Sequence, residues 1–162
     1  MNLKALVIDD SGVMRKMVIK SVTETQLANF DFVEAVDGKD GLDKISADPF
    51  DIAFVDWNMP NMTGIDFVRA VRNLEKTQDN EPMPLVMVTS EKTIGKLQEA
   101  LDEAGADQFI SKPFTVDELK VKLKKAVSKA QVVAMQRQRR QRARAAASQP
   151  QQEGGFLSSL FG

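Results

Sequence analysis

The chain of 162 residues contains no cysteine and no histidine. The first absence excludes disulfides and thiol chemistry. The second excludes Ser-His-Asp triads, imidazole metal ligands and a phospho-histidine carried by this chain. Any bound metal must therefore be held by oxygen. No apolar run approaches the ~20 residues of a membrane span, and Met1-Asn2 leads straight into an alternating strand without the basic and apolar regions of a signal peptide. A soluble, cytoplasmic protein is expected. What the chain does have is 43% hydrophobic residues, enough for one core, and a length that favours a single domain with an appendage. Its formal charge of −1 hides an asymmetry: residues 1–130 carry 17 Lys and Arg against 22 Asp and Glu, whereas 131–162 carry five Arg against Glu153 alone. The two segments face different surroundings or partners.

Strand-like runs at about 3–8, 31–36, 51–55, 84–88 and 107–111 alternate with helical patterns at about 12–27, 39–46, 64–75, 92–104 and 115–130. Five βα units of this kind predict a parallel sheet with helices on both faces. The near-continuous apolar character of runs one, three and four suits central strands. In the first helix, Val13, Met17, Val18 and Val22 are expected against the sheet, with Ser11 as N-cap. Gly105 ends the fourth helix and Pro113 stops the fifth strand. Beyond Lys129 the composition turns to Gln, Arg and Ala, so the fifth helix is expected to run on to about residue 147 as a polar rod. It carries Arg137, Arg139, Arg140, Arg142 and Arg144 on no single face. Ser148, Pro150 and Gly154-Gly155 then break the pattern.

Four apolar runs each end in a functional group. Leu6-Val7-Ile8 ends in Asp9-Asp10, Ile52-Ala53-Phe54-Val55 in Asp56, Leu85-Val86-Met87-Val88 in Thr89, and Phe109-Ile110-Ser111 in Lys112. In a parallel α/β sheet the carboxyl ends of the strands share one edge, so these groups meet there. Clustered carboxylates repel one another unless a cation neutralises them. With only oxygen donors and room for water and phosphate, Mg²⁺ is the natural ion, with Mn²⁺ a substitute. An Asp beside such an ion can attack phosphorus, which suits Asp56. Lys112 would neutralise one phosphoryl oxygen and the Thr89 hydroxyl would donate to another. Each residue alone is an ordinary turn or cap residue; their joint placement is the signal.

Asp9-Asp10-Ser11, the segment Asp56-Trp57-Asn58-Met59-Pro60-Asn61-Met62-Thr63-Gly64, Val88-Thr89-Ser90-Glu91 and Lys112-Pro113-Phe114 resemble the signature blocks of two-component response-regulator receiver domains, of the single-domain chemotaxis type. The resemblance covers about residues 1–128. It implies a flavodoxin-like (βα)₅ doubly wound parallel sheet with strand order 2-1-3-4-5. It also implies Asp56 as phospho-acceptor, Mg²⁺ held by Asp10, Asp56 and the Asn58 backbone carbonyl, and Asp9 acting mainly through water. Thr89 and Lys112 match the phosphate-sensing pair, and Phe109 the aromatic that changes rotamer on phosphorylation. Ser90 falls at a position favouring small residues, and Pro113 follows Lys112 through a cis peptide in this family. A histidine kinase would be the phosphoryl donor, and the face of helix four, strand five and helix five the output surface. Such a domain modifies itself and turns over no external substrate. Chemotaxis or motility is the expected setting.

The chain therefore divides into a receiver domain (1–128), an Arg/Gln/Ala-rich helical extension (129–147) and a linker with a C-terminal hydrophobic peptide (148–162). No DNA-reading domain fits after Ser128, so output is expected by contact with a motor, scaffold or relay protein, from a monomer or a phosphorylation-dependent dimer. The arginine run reads as a solvated helix face, as a nucleic-acid phosphate binder, or, by resemblance to receivers with arginine-rich extensions, as a cyclic di-GMP site. Phe156, Leu157, Leu160 and Phe161 share one side of a short helix, as in a docking peptide or a tail folded onto its own domain. A scaffold that keeps the fold without the chemistry is the main rival. A haloacid-dehalogenase-like phosphatase needs an Asp two residues after its nucleophile, whereas Trp57-Asn58 follow Asp56. In flavodoxin, Asp9-Asp10 would repel the FMN phosphate.

Overall fold

The computed structural model describes residues 1–90 and 93–149. Glu91 and the peptide Phe156, Leu157, Leu160 and Phe161 lie outside the described residues.

Five strands alternate with five helices: β1 (Leu3–Ile8), α1 (Gly12–Glu24), β2 (Phe30–Ala35), α2 (Gly38–Ala47), β3 (Ile52–Val55), α3 (Gly64–Gln78), β4 (Leu85–Thr89), α4 (Ile94–Gln98), β5 (Gln108–Ser111) and α5 (Val116–Ala147). All four strand pairings are parallel and the order is β2-β1-β3-β4-β5, as the resemblance implied. The chain reverses direction across the sheet between β1 and β3, so a crevice opens above the carboxyl ends of these two strands.

Period-two alternation assigns the apolar strand residues to one of two cores. Leu6, Ile8, Ala53, Val55, Leu85 and Met87 pack with Phe67, Val68 and Val71 of α3 on one face. Leu3, Ala5, Val7, Ile52, Phe54, Val86 and Val88 pack with α1 and α5 on the other. Every residue of β3 and β4 is buried, which explains their unbroken apolar runs. Each large buried side chain here, such as Phe54 or Leu85, contributes about 1.5–3 kcal/mol.

Local signals fix the helix ends. Ser11 Oγ accepts from the Met14 amide at 3.3 Å, Thr63 caps α3, and Thr115 with Glu118 forms a reciprocal capping box on α5. Gly105 adopts φ +87° after the fourth helix. That helix is unusual: none of its five α-helical residues is fully buried, although Leu97 packs partly against the core, and it widens into a π turn over Glu99–Glu103.

Two expectations need correction. In α1, Val18 and Val22 are buried but Val13 is 79% exposed and Met17 is exposed too. At 100° per residue Val13 lies about 140° round the helix from Val18, outside the buried stripe. The extension of α5 is helical to Ala147 as expected, yet it is not a free polar rod. Ala130 and Ala134 are buried, and the Arg137 guanidinium meets the buried Asp51 carboxylate at 2.5 Å. Small side chains let the helix approach the sheet closely enough for that pair to form. The five arginines share no single face, as expected: Arg137, Arg140 and Arg144 are turned toward the domain and Arg139 and Arg142 are not, and all but Arg137 are exposed.

Candidate functional site

The four strand ends converge as the sequence predicted. Asp9, Asp10 and Asp56 each offer a carboxylate oxygen, and the three atoms lie within 4.8 Å of one another. Asp9 is buried, Asp56 half-buried and Asp10 exposed, so the cluster opens to solvent on one side. Lys112 Nζ reaches Asp9 Oδ2 at 3.3 Å and Asp56 Oδ1 at 3.7 Å. Its peptide bond to Pro113 is cis. Thr89, fully buried at the end of β4, hydrogen-bonds the Asp56 carboxylate through its side chain.

The loop after β3 is shaped around Asp56. The Trp57 backbone N–H donates to its carboxylate. A Cβ on Gly64 would lie 2.0 Å from the Asp56 carbonyl oxygen, so only glycine permits the loop to close there, with its N–H donating to Trp57 O at 2.9 Å. Asn61 takes φ +68° in the same turn. Asn58, two residues after Asp56, is exposed.

Burial pushes the Asp56 carboxyl above its ordinary range, against the lowering pull of Lys112; the Asp9 charge raises it further, while Thr89 and the Trp57 amide lower it. Among the described residues, one ammonium, that of Lys112, reaches this group of three carboxylates, against Asp9 and Asp56. The donor set is entirely oxygen, and its spacing can be spanned by one small hard cation directly or through its bound water. The residues fit a divalent ion of the Mg²⁺ type.

Further side chains surround the site, of which Arg15 and Lys96 carried no sequence signal. Arg15 donates to the Asp9 carbonyl at 2.7 Å and pairs with Glu34, fastening β1 to β2 below the site. The Ser11 amide donates to Asp9 Oδ1 at 2.9 Å, so Ser11 serves both as cap and as anchor. Lys96 of α4 lies 5.3 Å over the Trp57 ring. Phe109 is buried in the core beside β4, its ring turned inward. The arginines Arg137, Arg139, Arg140, Arg142 and Arg144 lie beyond the opposite end of the sheet and take no part in this site.

A response-regulator receiver domain model matches residues 5–124. The chain belongs to the response-regulator receiver family. The receiver is 37% identical over 123 residues to a chemotaxis protein CheY of Pseudomonas aeruginosa, covering 76% of this chain and 94% of that protein. It is 40% identical over 122 residues to a CheY homolog of Campylobacter jejuni, covering 75% and 89%. The crystallised CheY4 of Vibrio cholerae superposes with a TM-score of 0.66 at 32% identity, over 78% of this chain and 99% of that one. The receiver's acidic cluster is of the kind that supports phosphorylation-based signalling, a self-modification without turnover of an external substrate. Among the described residues, no helix is long and apolar enough to cross a membrane.

Proposed function

We propose that this protein is a phosphorylation-controlled signalling switch in which Asp56 accepts a phosphoryl group from a histidine kinase, in a chemotaxis or motility pathway. The convergence of Asp56, Lys112 and Thr89 from three adjacent strands onto one point carries this reading. An Asp56 oxygen attacks phosphorus as the P–N bond to the donor imidazole breaks, and the imidazole nitrogen takes a proton from solvent. Asp9, Asp10, Asp56 and the Asn58 carbonyl would hold Mg²⁺, which would supply charge neutralisation for the transfer. Lys112 is placed to pair with a phosphoryl oxygen and Thr89 to donate to another.

Phosphorylation adds about two negative charges, which draw Thr89 and Lys112 away from their present contacts. The loop after β4 follows Thr89. The adjoining α4 has no fully buried residue, and only Leu97 of it packs partly against the core, so it is held lightly. Its displacement reshapes the face of α4, β5 and α5 that a downstream protein reads. Phe109 already lies inward, so the switch begins from a buried ring. The functional division is a receiver unit (1–128), an extension (129–147) and a tail (148–162).

Trp57 follows Asp56 directly and reports on the site. Titration with Mg²⁺ is expected to change its fluorescence saturably in the wild-type chain, and far more weakly in Asp9→Asn/Asp10→Asn. Equal responses in both chains would contradict the metal assignment.

A further inference from the structure

At the opposite end of the sheet, α5 overhangs the domain and forms one wall of a groove of about 400 Å³. Its apolar lining comes from Phe50, Val71, Leu74, Met83 and Val133. Leu74 and Val133 are only partly covered. Arg137, Arg140 and Arg144, spaced three and four residues apart on one helix face, border it. Arg137 is held by Asp51, and Arg140 reaches Glu81 at 3.4 Å. The groove exists because the helix continues: an α5 stopping at Ser128 would supply none of Val133, Arg137, Arg140 or Arg144.

We propose that this groove seats the chain's own C-terminal segment, Phe156-Leu157-Ser158-Ser159-Leu160-Phe161, folded back onto the domain that carries it. The first argument is reach. Helix α5 ends at Ala147, less than one turn beyond Arg144, so the chain leaves the helix at the mouth of the groove. Ser148 to Gly155 can extend about 26–29 Å, well beyond the ~15 Å that α5 rises from Arg137 to Ala147. Phe156 can therefore be laid anywhere along that wall. Pro150 and the Gly154-Gly155 pair favour a reversal over continuation of the helix.

The second argument is chemistry. Four large apolar residues at i, i+1, i+4 and i+5 would share one side of a helical turn, a match in character for the apolar lining. Glu153, the single acidic residue after Lys129, precedes them by three positions and complements the arginine border. The third is concentration. A tether this short gives an effective local concentration in the millimolar range, so weak apolar contact suffices to hold the segment, whereas a free partner peptide must bind far more tightly.

The absence of cysteine provides the test, because Ser159→Cys creates a single labelling position on the full chain. A nitroxide attached there, on the polar side of the segment, is expected to broaden the amide signals of Ala47, Leu74, Gln78 and Val133 to less than half their intensity with the label reduced. Asp10 and Val36, at the other edge of the sheet, should be unaffected. Ser158→Cys should give the same footprint, and adding Leu157→Ser/Leu160→Ser should abolish it. In a mixture of isotope-labelled chain and spin-labelled chain, no broadening is expected. Three results would overturn the proposal: no preference for the groove, a footprint on the α4-β5-α5 face, or broadening confined to the mixture, which would make the occupant the tail of a second copy.

Discussion

The two ends of the sheet solve the same electrostatic problem in opposite ways. At the N-terminal end of β3, the buried Asp51 carboxylate accepts the Lys4 amide at 2.8 Å and the Arg137 guanidinium at 2.5 Å, and Arg137 also donates to Phe50 O. One anion meets one cation and a backbone donor, and nothing is left over. At the C-terminal end of the same strand, Asp56 shares with Asp9, among the described residues, the one ammonium of Lys112, with Asp10 close by. Its carboxyl is held above the ordinary range chiefly by burial. A carboxylate whose needs are met is structural; one buried with little positive charge beside it is open to a cation, as the proposed phosphorylation of Asp56 requires.

Breaking the satisfied end should have the largest effect on stability. Arg137→Ala leaves the Asp51 charge buried without its ion partner, a loss of about 3–5 kcal/mol. For a chain of this length that lowers Tm by roughly 6–20 °C, measured by thermal unfolding. The folded variant should still accept phosphoryl groups at the wild-type rate, since the pair lies at the far end of the sheet. A Tm within a degree of wild type would show that the extension is not anchored.

Relieving the unsatisfied end should do the reverse. Because the folded Asp56 carboxyl titrates above its unfolded value, its ionisation costs stability: the folded state is favoured below the unfolded value, and that advantage is lost as pH rises through the folded one. At neutral pH, Asp56→Asn should raise Tm. Mg²⁺ should stabilise the wild-type chain by mass action, and this gain should fade in acid as the carboxyl protonates. A destabilised Asp56→Asn chain would contradict a cost of burying the Asp56 charge.

The smallest expected effect sharpens the same point. Lys112→Met removes the ammonium that competes with a metal for Asp9 and Asp56, so Mg²⁺ should bind about three- to tenfold more tightly, read from Trp57 fluorescence. Weaker binding would mean that Lys112 organises the carboxylates rather than competing with the ion.

The reactive end was the more legible in the sequence. Asp9, Asp10, Asp56, Thr89 and Lys112 each follow an apolar run, and parallel topology alone brings such positions together. The satisfied end was not legible, because the partners of its ion pair stand 86 residues apart and neither closes a strand. Ala130 and Ala134 counted as helix formers rather than as packing residues. Arg15 gave no warning either, since its role depends on how α1 lies across β1 and β2. Val13 and Met17 misled because apolar residues on an exposed face follow the helical period as well as buried ones do.

The central claim is that Asp56 becomes phosphorylated, and mass measurement of the intact chain tests it most directly. Phosphoramidate with Mg²⁺ should produce one added phosphoryl group, absent without the metal and absent in Asp56→Asn. An unmodified wild-type chain, or an adduct equally abundant in Asp56→Asn, would contradict the account.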